Sequence, residues 1–351
     1  MNARITIALD AMGGDHAPSI VVDGAAIAQR NHPNIAFQLY GDEEKLRRLV
    51  SSHSELSAVE IFHAPAAIPN NMRPSTALRQ GKDSSMRYAI NAVAEGRAHG
   101  IVSAGNTGAL MVIARMVLGM IPGIERPAIT GILPTMRGRC VMLDMGANLE
   151  CDPENLVQFA IMGSLFARAI GFAEPNVALL NIGMEEMKGH DEIRAAAAIL
   201  KETPIPGRFL GYMEADDIPT GRADVVVTDG FTGNIALKTA EGTAKLCASF
   251  LKQAVQSSWI AKIGALLASA ALKSMKNRMD PRAYNGAMLL GLQGICVKSH
   301  GGTDARGFAN AINVAVQLVE HKLNDTIKDE LAKLYGMQAT PMIDQVAAPG
   351  P

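Results

Sequence analysis

A short β-branched run that ends in a glycine- and asparagine-rich turn and passes straight into a helical pattern recurs along this chain. No other feature constrains the fold as much. In residues 224–241, DVVVTDGFTGNIALKTAE, the run is 224–228 and the turn 230–234, while Ile235, Leu237, Ala240 and Ala244 recur at helical spacing. Strand, tight turn and helix in that order aim free backbone N–H groups at whatever sits over the turn. Asp229 at the strand's end and Asn234 at the helix's start either cap the turn or hold a polar substrate, with Gly230 and Gly233 between them, and both readings stand at this point. Residues 101–110, IVSAGNTGAL, repeat the design around Asn106, Thr107 and Gly108. Two turns of one type can present helix N-termini to a single anion.

The same logic runs through the remaining strand ends. Residues 5–9 form a continuous apolar strand that enters DAMGGDHAPS, where Asp10 and Asp15 flank Gly13 and Gly14 and His16 follows, before a helix begins at Pro18. The glycines allow a ligand close to the backbone, and GxGxxG is absent, so this is no dinucleotide fingerprint. LRQGKDSSM places Arg79, Lys82, Ser84 and Ser85 within one or two helical turns, a donor set suited to phosphate, with a plain helix cap at Asp83 or Ser84 as the rival reading. A helix is expected over 89–100, and a strand-end loop at 143–152 carries Asp144, Gly146, Asn148 and Asp152. Lys188 precedes Gly189 in NIGMEEMKGHDE, a compact charge suited to a phosphate or a developing oxyanion. Residues 209–212 and 214–217 follow as further short segments. His300, after a strand and before Gly301-Gly302, is the most site-like histidine, as acid, base or donor.

At 351 residues, alternating strand and helix patterns predict one large α/β unit or two interleaved ones. Thirty-three lysines and arginines against 34 acids leave no global field to favour nucleic acid or an anionic membrane, so any such contact is local. Cys140, Cys151, Cys247 and Cys296 stand far apart without CxxC, which argues against zinc or a disulfide framework and for reduced cytosolic thiols. The chain enters a strand at once, without a signal-peptide pattern, and no apolar run is long enough to span a bilayer, so a soluble or at most peripheral protein is expected. Behind the 230–234 turn runs a long helix and then SSWIAKIGALLASAALKSM, an apolar stretch bordered by lysines; from residues alone it reads as buried packing or oligomer contact before membrane. Residues 337–351 read as a loose tail.

DAMGGD, KDSS, SAGNTGALM, LDMGAN with PENLVQFA, NIGMEEMKG, DVVVTDGFTGNIALK and SHG occur in one order from residue 5 to about residue 320. Together they resemble the bacterial phosphate acyltransferases, which make acyl-phosphate from acyl-acyl carrier protein and inorganic phosphate for phospholipid synthesis. The resemblance implies an α/β/α two-lobed architecture shared with isocitrate and isopropylmalate dehydrogenases and phosphotransacetylase, with residues 1–330 as one catalytic unit of two interleaved lobes, usually a homodimer. It implies that residues 236–276, a helix, apolar loop and helix, touch the membrane surface peripherally, on its cytoplasmic face. It implies Lys188 and Asn234 as active-site residues, and a downstream glycerol-3-phosphate acyltransferase that uses the product.

Phosphate is already nucleophilic at neutral pH and a thioester already activated, so neither a serine or cysteine nucleophile nor a cofactor or metal is required. The reaction needs an anion held in line with a carbonyl and stabilisation of the oxyanion. On this reading the turns at 103–108 and 230–234 hold phosphate across one cleft, Lys188 and Asn234 stabilise charge, and Asp10, Asp15 and His300 orient them. Two other classes are weighed: an NAD(P)-dependent decarboxylating dehydrogenase, whose aspartate metal cage and arginine cluster these loops do not assemble, and a non-catalytic membrane-surface scaffold, which leaves the polar strand-end loops without purpose.

Overall fold

In the computed structural model, residues 4–278 and 280–334 are described. The first part of the chain runs β1 (Thr6–Asp10), α1 (Ser19–Asn31), β2 (Ala36–Gly41), α2 (Glu43–Val50), β3 (Glu60–His63), α3 (Pro74–Gln80), α4 (Ser85–Ala94), β4 (Gly100–Ser103) and α5 (Thr107–Leu118). The middle runs β5 (Ala128–Thr135), β6 (Gly138–Leu143), α6 (Pro153–Ala169), β7 (Asn176–Leu180), α7 (Asp191–Glu202), β8 (Arg208–Met213), β9 (Val225–Val227) and α8 (Gly230–Gln256). The last part runs α9 (Trp259–Leu267), α10 (Ser269–Arg278), β10 (Ala287–Leu290), β11 (Ile295–Lys298), α11 (Ala305–Glu320) and α12 (Leu323–Leu334).

All the named strands join one 11-stranded sheet in the order β3-β2-β1-β4-β11-β10-β5-β6-β9-β7-β8. The continuous apolar runs are strands covered on both faces, and alternate residues serve alternate cores. Ile7, Leu9, Val102, Val225 and Val227 pack on one face with α1, α6, α7, α11 and α12. Ala8, Ile101 and Val226 pack on the other, which α3, α4 and α5 cover in the first half. The chain leaves that half after α5 and returns to it with β10 and β11, which pair β5 and β4 respectively.

Strand direction is what matters for the site. β2, β1, β4 and β11 are parallel neighbours. β10 runs against β11 and against β5, and β5 runs against β6. Those reversals are odd in number, so β6, β9 and β7, parallel to one another, point opposite to β1, β4 and β11. Strand C-termini therefore emerge at both edges of the sheet.

Several local expectations shift. The donor-rich segment at 79–85 is not one helix: α3 stops at Gly81, Ser84 caps α4, and the helix placed at 89–100 is α4, ending at Ala94, with Gly100 opening β4. Residues 215–217 form a 3-10 turn. The apolar tip is no buried packing within this chain. Of α8 only Gly230 and Gly233 are buried, and Trp259 at the start of α9 is 71% exposed. No helix among the described residues is long and apolar enough to cross a membrane. The 337–351 tail lies outside the described residues.

Candidate active site

One edge of the sheet gathers the ends of β1, β4 and β11. Asp10 is fully buried, and its carboxylate accepts hydrogen bonds from Ser85 Oγ and Ser103 Oγ, each at 2.6 Å. Burial pushes this carboxyl up from the usual range, while the two hydroxyls pull it back. Ser103 Oγ in turn accepts the Gly105 N–H at 3.1 Å. Gly13 must be glycine here, because a Cβ would stand 2.5 Å from Asp10 Oδ2 and 2.7 Å from the Gly105 nitrogen. The Asp15 N–H donates to the Gly301 carbonyl at 2.9 Å, and its carboxylate accepts Asn70 Nδ2 at 2.6 Å. His300 closes the rim. Its N–H donates to Asn285 Oδ1 at 2.9 Å and its Nδ1 accepts the Gly302 N–H at 3.1 Å, so the neutral ring carries its proton on Nε2 and offers a donor.

Among these loops helix-cap roles prevail at two positions. Asn106 caps α5 by accepting from Ala109 N at 3.0 Å, and its Nδ2 donates to the Asn70 and Met72 carbonyls, so the side chain is committed. Thr107 and Gly108 are the first residues of α5, where their N–H groups lack an intrahelical partner. Ser84 is corrected from phosphate donor to cap, since its Oγ donates to Gly81 O at 2.6 Å and accepts from Arg87 N at 3.2 Å inside the protein. Ser85 likewise is spent on Asp10. Gly14, at φ +106°, packs against Ala104. His16 and Lys82 are exposed at this edge.

The opposite edge gathers the ends of β6, β9 and β7. Asp144, fully buried, accepts N–H donors from Ile129 (2.9 Å), Gly146 (3.1 Å), Ala147 (3.0 Å) and Asn148 (2.7 Å), and Asn148 Nδ2 at 2.9 Å. Burial drives its carboxyl up, and these donors oppose the shift. The Asn148 carbonyl accepts the Gly230 N–H at 2.7 Å, tying that loop to the start of α8. A Cβ on Gly233 would overlap the Asp144 carbonyl oxygen, so α8 can approach only through glycine. Asp229 caps α8 through Thr232 N at 2.8 Å. Asn234, one turn in, is exposed, with its Cβ near Gly146. Lys188 is exposed too, on a loop pinned by Asn181 Nδ2, which donates to the Lys188 carbonyl at 3.1 Å. Neither the Lys188 ammonium nor the Asn234 amide has a hydrogen-bond partner among the described residues.

One expectation fails on geometry. The turns at 103–108 and 230–234 were to share one cleft, yet β4 and β9 point in opposite directions, so one chain carries them on opposite edges of its sheet. Sequence reasoning did not single out Asn181, which holds the Lys188 loop, or Lys298, which ends β11 beneath the first edge. Asn181 stood in the quoted NIG motif, and Lys298 is a charged residue ending an otherwise apolar strand, ICVK.

The architecture is an α/β fold built on one 11-stranded sheet with helices on both faces. It is like that of a phosphotransacetylase from Streptococcus pyogenes (TM-score 0.62, 16% identity, 91% of this chain and 95% of that one) and of EutD phosphotransacetylase from Staphylococcus aureus (TM-score 0.59, 17% identity, 90% and 94%), a likeness of fold alone. The family model described as fatty acid synthesis protein matches residues 5–326. Phosphate acyltransferases of Rhodospirillum centenum and Paramagnetospirillum magneticum are 58% and 52% identical to the chain, over 95% and 99% of its length and the same shares of theirs. The chain belongs to this phosphate acyltransferase family and is an acyltransferase enzyme.

Asp144 gives a direct test of the second edge. Asp144→Asn turns an amide NH2 toward backbone donors and is expected to cost about 2–3 kcal/mol of stability, read as a lowered urea midpoint. A wild-type midpoint would contradict the role given to this carboxylate.

Proposed function

We propose that this enzyme transfers a long-chain acyl group from the thioester of acyl carrier protein to inorganic phosphate, releasing acyl-phosphate and free carrier. A phosphate oxygen attacks the thioester carbonyl, the C–O bond forms, the C–S bond breaks, and the departing thiolate takes up a proton. The observation that carries the reading is the pair Lys188 and Asn234. Both side chains stand exposed and uncommitted beyond the ends of the neighbouring strands β7 and β9, Asn234 one turn into α8, where preorganised donors can stabilise an oxyanion. Cys151, on the loop after β6, is no rival nucleophile, because burial pushes its thiol up to about 12. Exposed Leu149, Ile182 and Met187 on the loops of the same edge, with Phe231 in the first turn of α8, suit an acyl chain.

The site is completed between two copies. Opposite strand directions keep the Asp10, Asn106 and His300 edge away from the Lys188 and Asn234 edge within one chain, and a two-fold dimer sets one edge of each copy against the other edge of its partner. The α8–α10 arm, with Phe250, Trp259, Ile260, Leu266 and Leu267 exposed, carries the enzyme to the cytoplasmic face of the membrane, where a glycerol-3-phosphate acyltransferase consumes the product. No nucleic acid takes part.

Purified protein given acyl-carrier thioester and phosphate is expected to yield acyl-phosphate, and Lys188→Ala to lower turnover at least about a hundredfold with phosphate saturating. Near-normal turnover in that variant removes Lys188 from the mechanism, and an acyl-enzyme trapped without phosphate rules out direct attack. Trp259 fluorescence is expected to shift to the blue on adding anionic phospholipid vesicles; no shift together with no co-sedimentation rejects membrane contact.

A further inference from the structure

Lys298 ends β11, and its side chain is largely buried beneath the three loops of the first edge. Its Nζ donates to the Ala104 carbonyl at 3.4 Å and to the Ser299 carbonyl, joining the loop after β4 to the loop after β11. The loop after β1 is tied to the same place, since the Asp15 N–H donates to the Gly301 carbonyl. Lys298 reaches the fields of two carboxylates, Asp10 and Asp15, without a direct ion pair to either. On its own strand the other titratable group is Cys296, whose thiol burial pushes up to about 12, so it stays neutral. β4 brings only Ser103 and Ala104 to this point. The helices packed on the strand carry their charges at Arg115 in α5 and at Arg306 and Glu320 in α11. The charge gathered at this edge is therefore the fully buried Asp10, the exposed Asp15 and one largely buried ammonium.

That balance is wrong for an anion unless the ammonium is present. Phosphate brought to the N-terminus of α5 meets the buried Asp10, whose like charge is poorly screened, and the exposed Asp15, whose repulsion solvent weakens. We propose that Lys298 is the positioning residue of the phosphate subsite: its ammonium joins the loops after β4 and β11, to which the loop after β1 is tied in turn, and offsets the Asp10 and Asp15 carboxylates, so that a phosphate anion is accepted at this edge. The role rests on the phosphate acyl-transfer reading and adds to it a residue and a pH dependence.

The pH dependence has a definite sign. Burial, the largest influence, brings Lys298 down to about 8, with Asp10 and Asp15 opposing the shift. The side chain is charged below that value and neutral above it. If phosphate binds only the charged form, about one molecule in thirty is competent near pH 9.5.

The test measures KM for phosphate and kcat from about pH 7 to about pH 9.5, with acyl-carrier thioester as co-substrate. For the wild type, KM for phosphate is expected to rise about thirtyfold across the range while kcat at saturating phosphate changes far less. K298R, whose guanidinium stays charged, is expected to keep KM nearly flat. K298M is expected to show the high KM at every pH. A wild-type KM independent of pH, or a K298R profile that rises like the wild type, overturns the role of Lys298, and the wild-type and K298R profiles decide even if K298M does not fold. Absence of acyl-phosphate from the wild type at every pH would instead overturn the underlying acyl-transfer reading.

Discussion

The antiparallel insertion of β10 and β5 between two parallel halves of one sheet is the constraint on which the rest depends. Backbone hydrogen bonding across β11, β10, β5 and β6 fixes the direction of every later strand. In an open α/β sheet, ligands collect where strands end and helices begin. Reversing direction in mid-sheet gives this chain two such places, facing opposite ways. On the proposed reading each is half of the transferase site, one with a helix N-terminus and a histidine donor, the other with an uncommitted lysine and an uncommitted amide.

A buried carboxylate anchors each half. Asp10 gathers Ser85 and Ser103, and with them the loops after β1 and β4. Asp144 gathers the N–H groups of its own loop and of β5, and through Asn148 holds the start of α8. Both acids are buried, so an unmatched charge would be costly, and several donors are directed at each. The carboxylates thus serve as internal scaffolds for the strand-end loops. The helix caps at Ser84, Asn106 and Asp229 belong to the same scaffolding, and the uncommitted groups Lys188, Asn234 and the His300 Nε2 donor stand outside it.

Much of the architecture was legible in the sequence because both-face burial leaves continuous apolar runs such as those of β1, β4 and β9, and glycine-framed turns mark where they stop. Strand direction was not legible. A hydrophobic run reads alike for either orientation, and the deciding pairs, such as Leu290 with Ala128, join residues remote in sequence. At the site, polar residue types at strand ends were visible, but what each side chain is bonded to was not. Asn106 and Asn234 look alike in their GN turns, yet one is consumed by a cap and the carbonyls of a neighbouring loop and the other is free. Lys298 was hidden for a related reason: one lysine at a strand end reads as solvated until the loops closing over it are in place.

Subunit mixing tests the shared site most directly. In the proposed dimer Lys188→Ala and His300→Ala damage opposite edges, so each variant homodimer would be damaged at both of its sites. Unfolding and refolding the two variants together forms mixed dimers in which one site carries both lesions and the other neither. Activity is expected to recover to about a quarter of the wild-type level, from half the dimers carrying one intact site of two. Recovery no greater than the sum of the separate variants, with mixed dimers verified, would contradict a site built from the two edges of different copies.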